Sequence, residues 1–170
     1  NASNLGAIIG KNIGPLFRSN SKIQRNLENS NIGSSQEDRK SIINNMWGNY
    51  GRILSEYVYL KQFRKNNLNQ FIEIEGLNYL NEIKKNNKRV VFISGHFNNF
   101  ELMAMEIEKA GINLCAIYRP LNNPFLNIIM EKIRKNYICK NQIKKWKSGT
   151  RDLLNLFKEN FSVALMIDQR

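Results

Sequence analysis

From residue 70 onward, short apolar runs alternate with longer segments at helical spacing, and no other feature narrows the fold as far. Residues 89–94 (Arg-Val-Val-Phe-Ile-Ser), 112–118 and 161–167 are almost wholly apolar. That is the pattern of strands buried on both faces of a parallel sheet. Between and around them, residues 77–87, 99–110, 122–136 and 148–160 place apolar side chains at helical spacing. Gly111 stops the second of these helices and Pro124 sits in the first turn of the third. Residues 137–143 read as a weaker strand, and Phe71-Ile72-Glu73-Ile74-Glu75 alternates like another until Gly76 breaks it. Helices separating parallel strands imply βαβ units, so the expectation is an α/β fold with a mostly parallel sheet and flanking helices.

Upstream the pattern is helical. Ser35-x-x-Asp38 offers a capping signal for a segment that carries Ile42, Ile43, Met46 and Trp47 on one side. Residues 50–63 continue at helical spacing, and the polar, basic stretch 61–69 is the best internal boundary. The expected organisation is a helical N-terminal region at 1–68 and an α/β catalytic core at 69–170, within one structural domain. No run of about 18 apolar residues is present, so no transmembrane helix is expected within these residues. The apolar, Gly-rich stretch 5–17 is interrupted by Lys11, Asn12 and Pro15. The chain does not open on Met and stops just after an apolar strand, which leaves room for an upstream membrane anchor and further C-terminal chain.

The net charge of +12 attracts an anionic counterpart. Nucleic acid, an anionic membrane surface and an acidic protein all fit that sign. The basic residues are densest at 132–151, with eight Lys or Arg, no acid, and Tyr137 and Trp146 interleaved. A solvated face and a docking surface are both compatible with that density. Cys115 and Cys139 lack metal-ligand spacing and are too few for a disulfide framework, so they read as reduced, packed thiols. A G-x-S-x-G elbow, a Walker A loop, a G-x-G-x-x-G loop and a His-rich metal set are all missing from the sequence.

His96, Arg119 and Asp168 each fall just past the carboxyl end of an expected strand, which is where open α/β sheets bind ligands. His96 is the only histidine. It follows Gly95 and precedes a helix whose first turn contains Glu101. The expectation is that Gly95 permits a sharp turn, that Asn98 and Asn99 cap the helix, and that Glu101 points back to the imidazole. A carboxylate beside the ring fixes its tautomer and raises its basicity, so that it can take a proton from a hydroxyl. By spacing alone, a lone histidine in a capped turn fits equally well. Arg119 alone reads as a surface arginine before a proline turn, and Asp168 as a cap or strand-end residue.

Gly95-His96-Phe97-Asn98-Asn99-Phe100-Glu101 closely resembles the glycine, H-x4-E block of the lipid A lauroyl and myristoyl acyltransferases. The resemblance runs on in order through Tyr118-Arg119-Pro120-Leu121-Asn122-Asn123-Pro124, then Gly149-Thr150-Arg151-Asp152-Leu153-Leu154, then Leu165-Met166-Ile167-Asp168-Gln169. Upstream, Met46-Trp47-Gly48-Asn49-Tyr50-Gly51-Arg52 looks like the family's tryptophan-asparagine-glycine-arginine segment. The resemblance implies transfer of a fatty acyl group from a carrier thioester to a hydroxyl of a lipid A precursor. It makes His96 and Glu101 the catalytic pair, and places Arg119, Asn122, Arg151 and Asp168 as substrate-binding residues. It implies no metal or other cofactor, with acyl-acyl carrier protein or acyl-CoA as co-substrate. The implied partners are acyl carrier protein, anionic membrane lipid and the lipid A precursor, with no nucleic acid. The implied place is the cytoplasmic face of the inner membrane. The same chemistry on another glycolipid or glycerol-phosphate acceptor, or a non-enzymatic basic binding module, remains compatible with the residues.

Overall fold

In the computed structural model, residues 2–145 and 147–168 are described, apart from the side chains of Lys147 and Ser148. Trp146, Gln169 and Arg170, which belong to the basic segment and the last strand block, lie outside the described residues. The chain forms two compact units, Asn1–Tyr59 and Leu60–Arg170.

The first unit is helical: α1 (Ala2–Phe17), α2 (Asn20–Asn29) and α3 (Gln36–Glu56). The Ser35–Asp38 signal is realised in full. Asp38 N–H donates to Ser35 Oγ at 3.0 Å and Ser35 N–H to Asp38 Oδ2 at 3.1 Å, which satisfies two N-terminal donors of α3. The glycines of the apolar N-terminal stretch serve packing. A side chain at Gly10 would collide with the backbone carbonyl of Trp47, and one at Gly51 with that of Gly6, so α1 and α3 meet backbone to backbone.

The second unit starts earlier than the composition break at 61–69. The short helix α4 (Leu60–Arg64) is tied into it by an ion pair from Arg64 Nη2 to Glu108 at 2.6 Å and by Lys109 Nζ donating to Phe63 O at 3.2 Å. Helix α5 (Leu77–Lys85) precedes β1 (Val91–Ser94), α6 (Glu101–Lys109), β2 (Leu114–Tyr118), α7 (Pro124–Ile133), β3 (Asn141–Lys144), α8 (Lys147–Lys158) and β4 (Ser162–Met166). The sheet is parallel throughout, in the order β1-β4-β2-β3. Cys115, Ile143 and Val163 form a buried cluster against Leu153, Leu156 and Phe157 of α8. Both cysteines are buried free thiols, and burial pushes Cys115 up to about 11 and Cys139 up to about 12.

Three expectations are corrected. Residues 71–75 form no strand; a 3₁₀ turn at Asn69–Phe71 ends on the first of them, and Phe71 is exposed. Five alternating residues make a strand only where a neighbouring edge accepts their hydrogen bonds. The run 89–94 is not buried on both faces: Val91 and Ile93 alternate on one face of the edge strand β1, and that face is left uncovered. The helix expected to end at 136 instead widens into a single π-turn at Arg134–Ile138, closed by Cys139 N–H on Arg134 O at 3.0 Å. Strand β3 therefore starts at Asn141 rather than 137.

Helix α7 has its polar side turned inward. Asn123 caps it, accepting from Phe125 N–H and Leu126 N–H, with Pro124 in the first turn. Glu131 Oε1 accepts from Tyr118 Oη (2.6 Å) and Asn127 Nδ2 (2.7 Å) and pairs with Lys144 Nζ (3.1 Å). The Tyr118 bond, then Lys144 and Asn127, hold the Glu131 carboxyl down at about 2 against an ordinary 4.5, despite some opposing desolvation. A depressed carboxyl stabilises the fold above its unfolded value, and the benefit disappears as pH falls through its folded value. Glu131→Gln is therefore expected to cost about 1–2 kcal/mol at neutral pH. The gap between variant and wild type should close as pH falls from 4.5 toward about 2, as read by urea unfolding across that range. A gap that stays constant with pH would remove the charge from the account.

Candidate active site

Because the strands are parallel, the residues that follow them gather at one edge of the sheet. Strand β4 lies between β1 and β2, so Asp168, two residues past β4, stands between the loops carrying His96 and Arg119. His96 N–H donates to Asp168 Oδ2 at 2.9 Å, and the ring Nδ1 lies 2.7 Å from Asp168 Oδ1. Both carboxylate oxygens thus grip one residue, fixing its backbone and its ring together. The backbone hydrogen bond, then the ring, hold the Asp168 carboxyl below its usual range. Phe100 meets the imidazole edge to face, with centroids 4.6 Å apart at 74°.

The turn between β1 and α6 is made by Asn98, at φ 45°, and not by Gly95, whose φ is not positive. Asparagine tolerates that left-handed conformation better than most residues. The N-cap of α6 is Phe100, without a side-chain cap bond, and not Asn98 or Asn99.

Glu101 occupies a different place from the one expected of it. Its side chain is buried, and Arg134 donates to its Oε1 twice, from Nε at 2.8 Å and from Nη2 at 2.6 Å. The partner at Nδ1 of His96 is Asp168. The cause is helical geometry: Glu101 is the first residue of α6, and its side chain turns under the helix toward the π-turn that presents Arg134. The Arg134 guanidinium also lies 5.9 Å from the Tyr118 ring centroid.

A cleft of about 470 Å³ opens at this edge, and its lining includes His96, Glu101, Arg119, Arg134 and Lys145. Its other walls are largely apolar, among them the buried Ala104, Ile138 and Ala164 together with Leu165 and Met166. Polar groups that converge beside an apolar trough suit a ligand with a reactive polar end and a hydrocarbon tail. Of the residues proposed from sequence, the structure brings His96, Glu101, Arg119 and Asp168 to this edge. Asn122, in the turn before α7, and Arg151, on α8, are exposed and are not part of the cleft lining. Arg134 and Tyr118 were not singled out as site residues. No local signal marks Arg134, whose carboxylate partner is 33 residues away.

The family described as bacterial lipid A biosynthesis acyltransferase matches residues 1–170 of this chain. The chain belongs to that family. Among curated proteins, it is similar to the lipid A biosynthesis myristoyltransferase of Escherichia coli (strain K12), with 21% identity over 103 residues. That match covers 61% of this chain and 32% of the relative, so the chain spans about a third of that protein's length in the aligned region. Among the described residues, no helix of this family member is long and apolar enough to cross a membrane.

Proposed function

We propose that the chain carries the proton-transfer site of an enzyme that moves a fatty acyl group from a carrier thioester to a hydroxyl of a lipid A precursor. The observation that carries this reading is the 2.7 Å contact of His96 Nδ1 with Asp168 beside an apolar-lined cleft. With Nδ1–H donated to Asp168, Nε2 holds the lone pair that accepts the hydroxyl proton. The hydroxyl oxygen bonds to the thioester carbon, and the carbonyl electrons move onto its oxygen. Collapse of that intermediate breaks the carbon–sulfur bond, and the proton on Nε2 passes to the departing thiolate. Asp168 stays ionised throughout and offsets the imidazolium charge.

Arg119 and Lys145, both exposed and both lining the cleft, supply positive charge for the developing oxyanion and for acceptor phosphates. Glu101, locked by Arg134, is assigned to building the cleft wall and its field. An acidic acyl carrier protein as donor fits the basic segment, and the inner-membrane surface fits a lipid acceptor. The test is a transfer assay on the full-length enzyme, with labelled acyl-carrier and acyl-CoA donors against a panel of lipid A precursors and glycerol phosphates. Transfer to a lipid A precursor is the expected result. Transfer only to another acceptor would replace the substrate and leave the chemistry intact. Absence of transfer to every acceptor, with salt-resistant DNA binding in its place, would overturn the reading.

A further inference from the structure

Helix α7 is an amphipathic helix turned inside out. Its polar residues Asn127 and Glu131 face the protein, bonded to Leu121 N–H, Tyr118 and Lys144. Phe125, Leu126, Ile128 and Ile129 are exposed, Phe125 by 78% and Ile128 by 66%. Residues 125, 128, 129 and 132 share one stripe at helical spacing, which places the exposed Lys132 on the same face. Leu121, exposed in the turn that leads into the helix, extends the apolar surface toward Arg119.

The charge around this face has one sign. Lys132, Lys135, Lys140, Lys144 and Lys145 are all exposed, and Glu131, the lone acid between residues 110 and 151, is turned inward and neutralised. Hydrocarbon flanked by cations, with Lys144 alone among them paired to Glu131, matches the boundary of an anionic bilayer, where apolar side chains enter the acyl region and lysines meet the headgroups. The length selects the mode. Ten residues at about 1.5 Å each make a helix half the length of a bilayer core, so it lies in the interface and does not cross.

We propose that α7 is an interfacial anchor that seats the second unit on an anionic membrane, with the cleft beside it facing lipid. The proposal builds on the reading of a lipid acceptor. It explains why a helix at the mouth of the site should bury its acid and expose its isoleucines: an acceptor that enters from the bilayer reaches His96 without leaving it.

The experiment uses the full chain and vesicles of phosphatidylethanolamine with phosphatidylglycerol, against vesicles of phosphatidylcholine alone. The wild type should sediment with the anionic vesicles. The emission that a Phe125→Trp probe adds to that of the native Trp47 and Trp146, taken as the difference from wild type, reports on α7 and should shift to the blue on binding them. Phe125→Gln, Ile128→Gln and Ile129→Gln together should weaken vesicle association at least tenfold. Lys132→Gln and Lys135→Gln, a separate variant with no apolar change, should each cost about fivefold at low salt and nothing at high salt. An unshifted Phe125→Trp emission, or glutamine and lysine variants that bind like wild type, would overturn the anchor. So would a wild-type dimer that ignores vesicles and dissociates in the triple variant, since the face would then belong to a second copy. Vesicle association requires no turnover, so it stands or falls separately from acyl transfer.

Discussion

His96→Ala is expected to cut acyl transfer by about 10²- to 10⁴-fold, the range of a positioned general base. Asp168→Asn should fall within the same range while leaving the site's shape intact. An amide keeps a hydrogen bond to His96 and loses the charge that favours the Nδ1–H tautomer and offsets the imidazolium. Asp168→Glu should recover part of the loss if the charge can still reach the ring. The defect should lie in kcat, with KM near wild type, because neither side chain is assigned to ground-state binding. Stability should hardly move: the side chains of His96 and Asp168 are 32% and 40% exposed, and exposed pairs contribute about 0–1 kcal/mol. Steady-state kinetics beside urea unfolding make the check. An Asp168→Asn enzyme with wild-type kcat would end the role assigned to that contact.

The second large effect is on folding. Glu101→Ala is expected to destabilise the protein by about 3–5 kcal/mol, because it takes from the half-buried Arg134 guanidinium the carboxylate that accepts two of its hydrogen bonds. Arg134→Ala should cost a similar amount by taking two charge-assisted hydrogen bonds from the buried Glu101 carboxylate. The double variant should cost clearly less than the two losses added, since removing both partners leaves no uncompensated charge. The sequence alone read Glu101 as a partner of the His96 imidazole at the mouth of a helix, with no share in holding the fold. Its burial and its two bonds from Arg134 reverse that expectation. Loss of activity in Glu101→Ala would therefore not identify a catalytic group unless the fold were shown intact. Urea titration of the three variants decides it, and a Glu101→Ala protein as stable as wild type would refute the structural role.

Much of the frame was legible in the residues. Apolar runs at 112–118 and 161–167 became the interior strands β2 and β4, since a strand buried on both faces has to be apolar along its length. The Ser35–Asp38 cap and the Pro124 helix start were legible for the same reason: each is complete within four residues and depends on nothing distant. The convergence of His96, Arg119 and Asp168 also followed, because parallel strands send all their carboxyl ends to one edge.

Partner choice was not legible. The sequence placed Glu101 five residues from His96 and Asp168 seventy-two residues away, and proximity along the chain favoured the wrong carboxylate for Nδ1. Strand order reversed the choice: β4 inserts between β1 and β2 and carries Asp168 up to His96, while α6 turns Glu101 under itself to Arg134. The exposure of Val91 and Ile93 and the missing strand at 71–75 have the same origin. Whether an apolar or alternating segment is covered or paired depends on neighbours that local periodicity does not name. By itself, the sequence determined which segments could be strands, where helices begin and which edge collects the reactive groups, because those depend on near neighbours and chain direction. Only the tertiary structure decided which carboxylate meets the histidine and which way α7 faces, because contacts across tens of residues exist only once the sheet has its order.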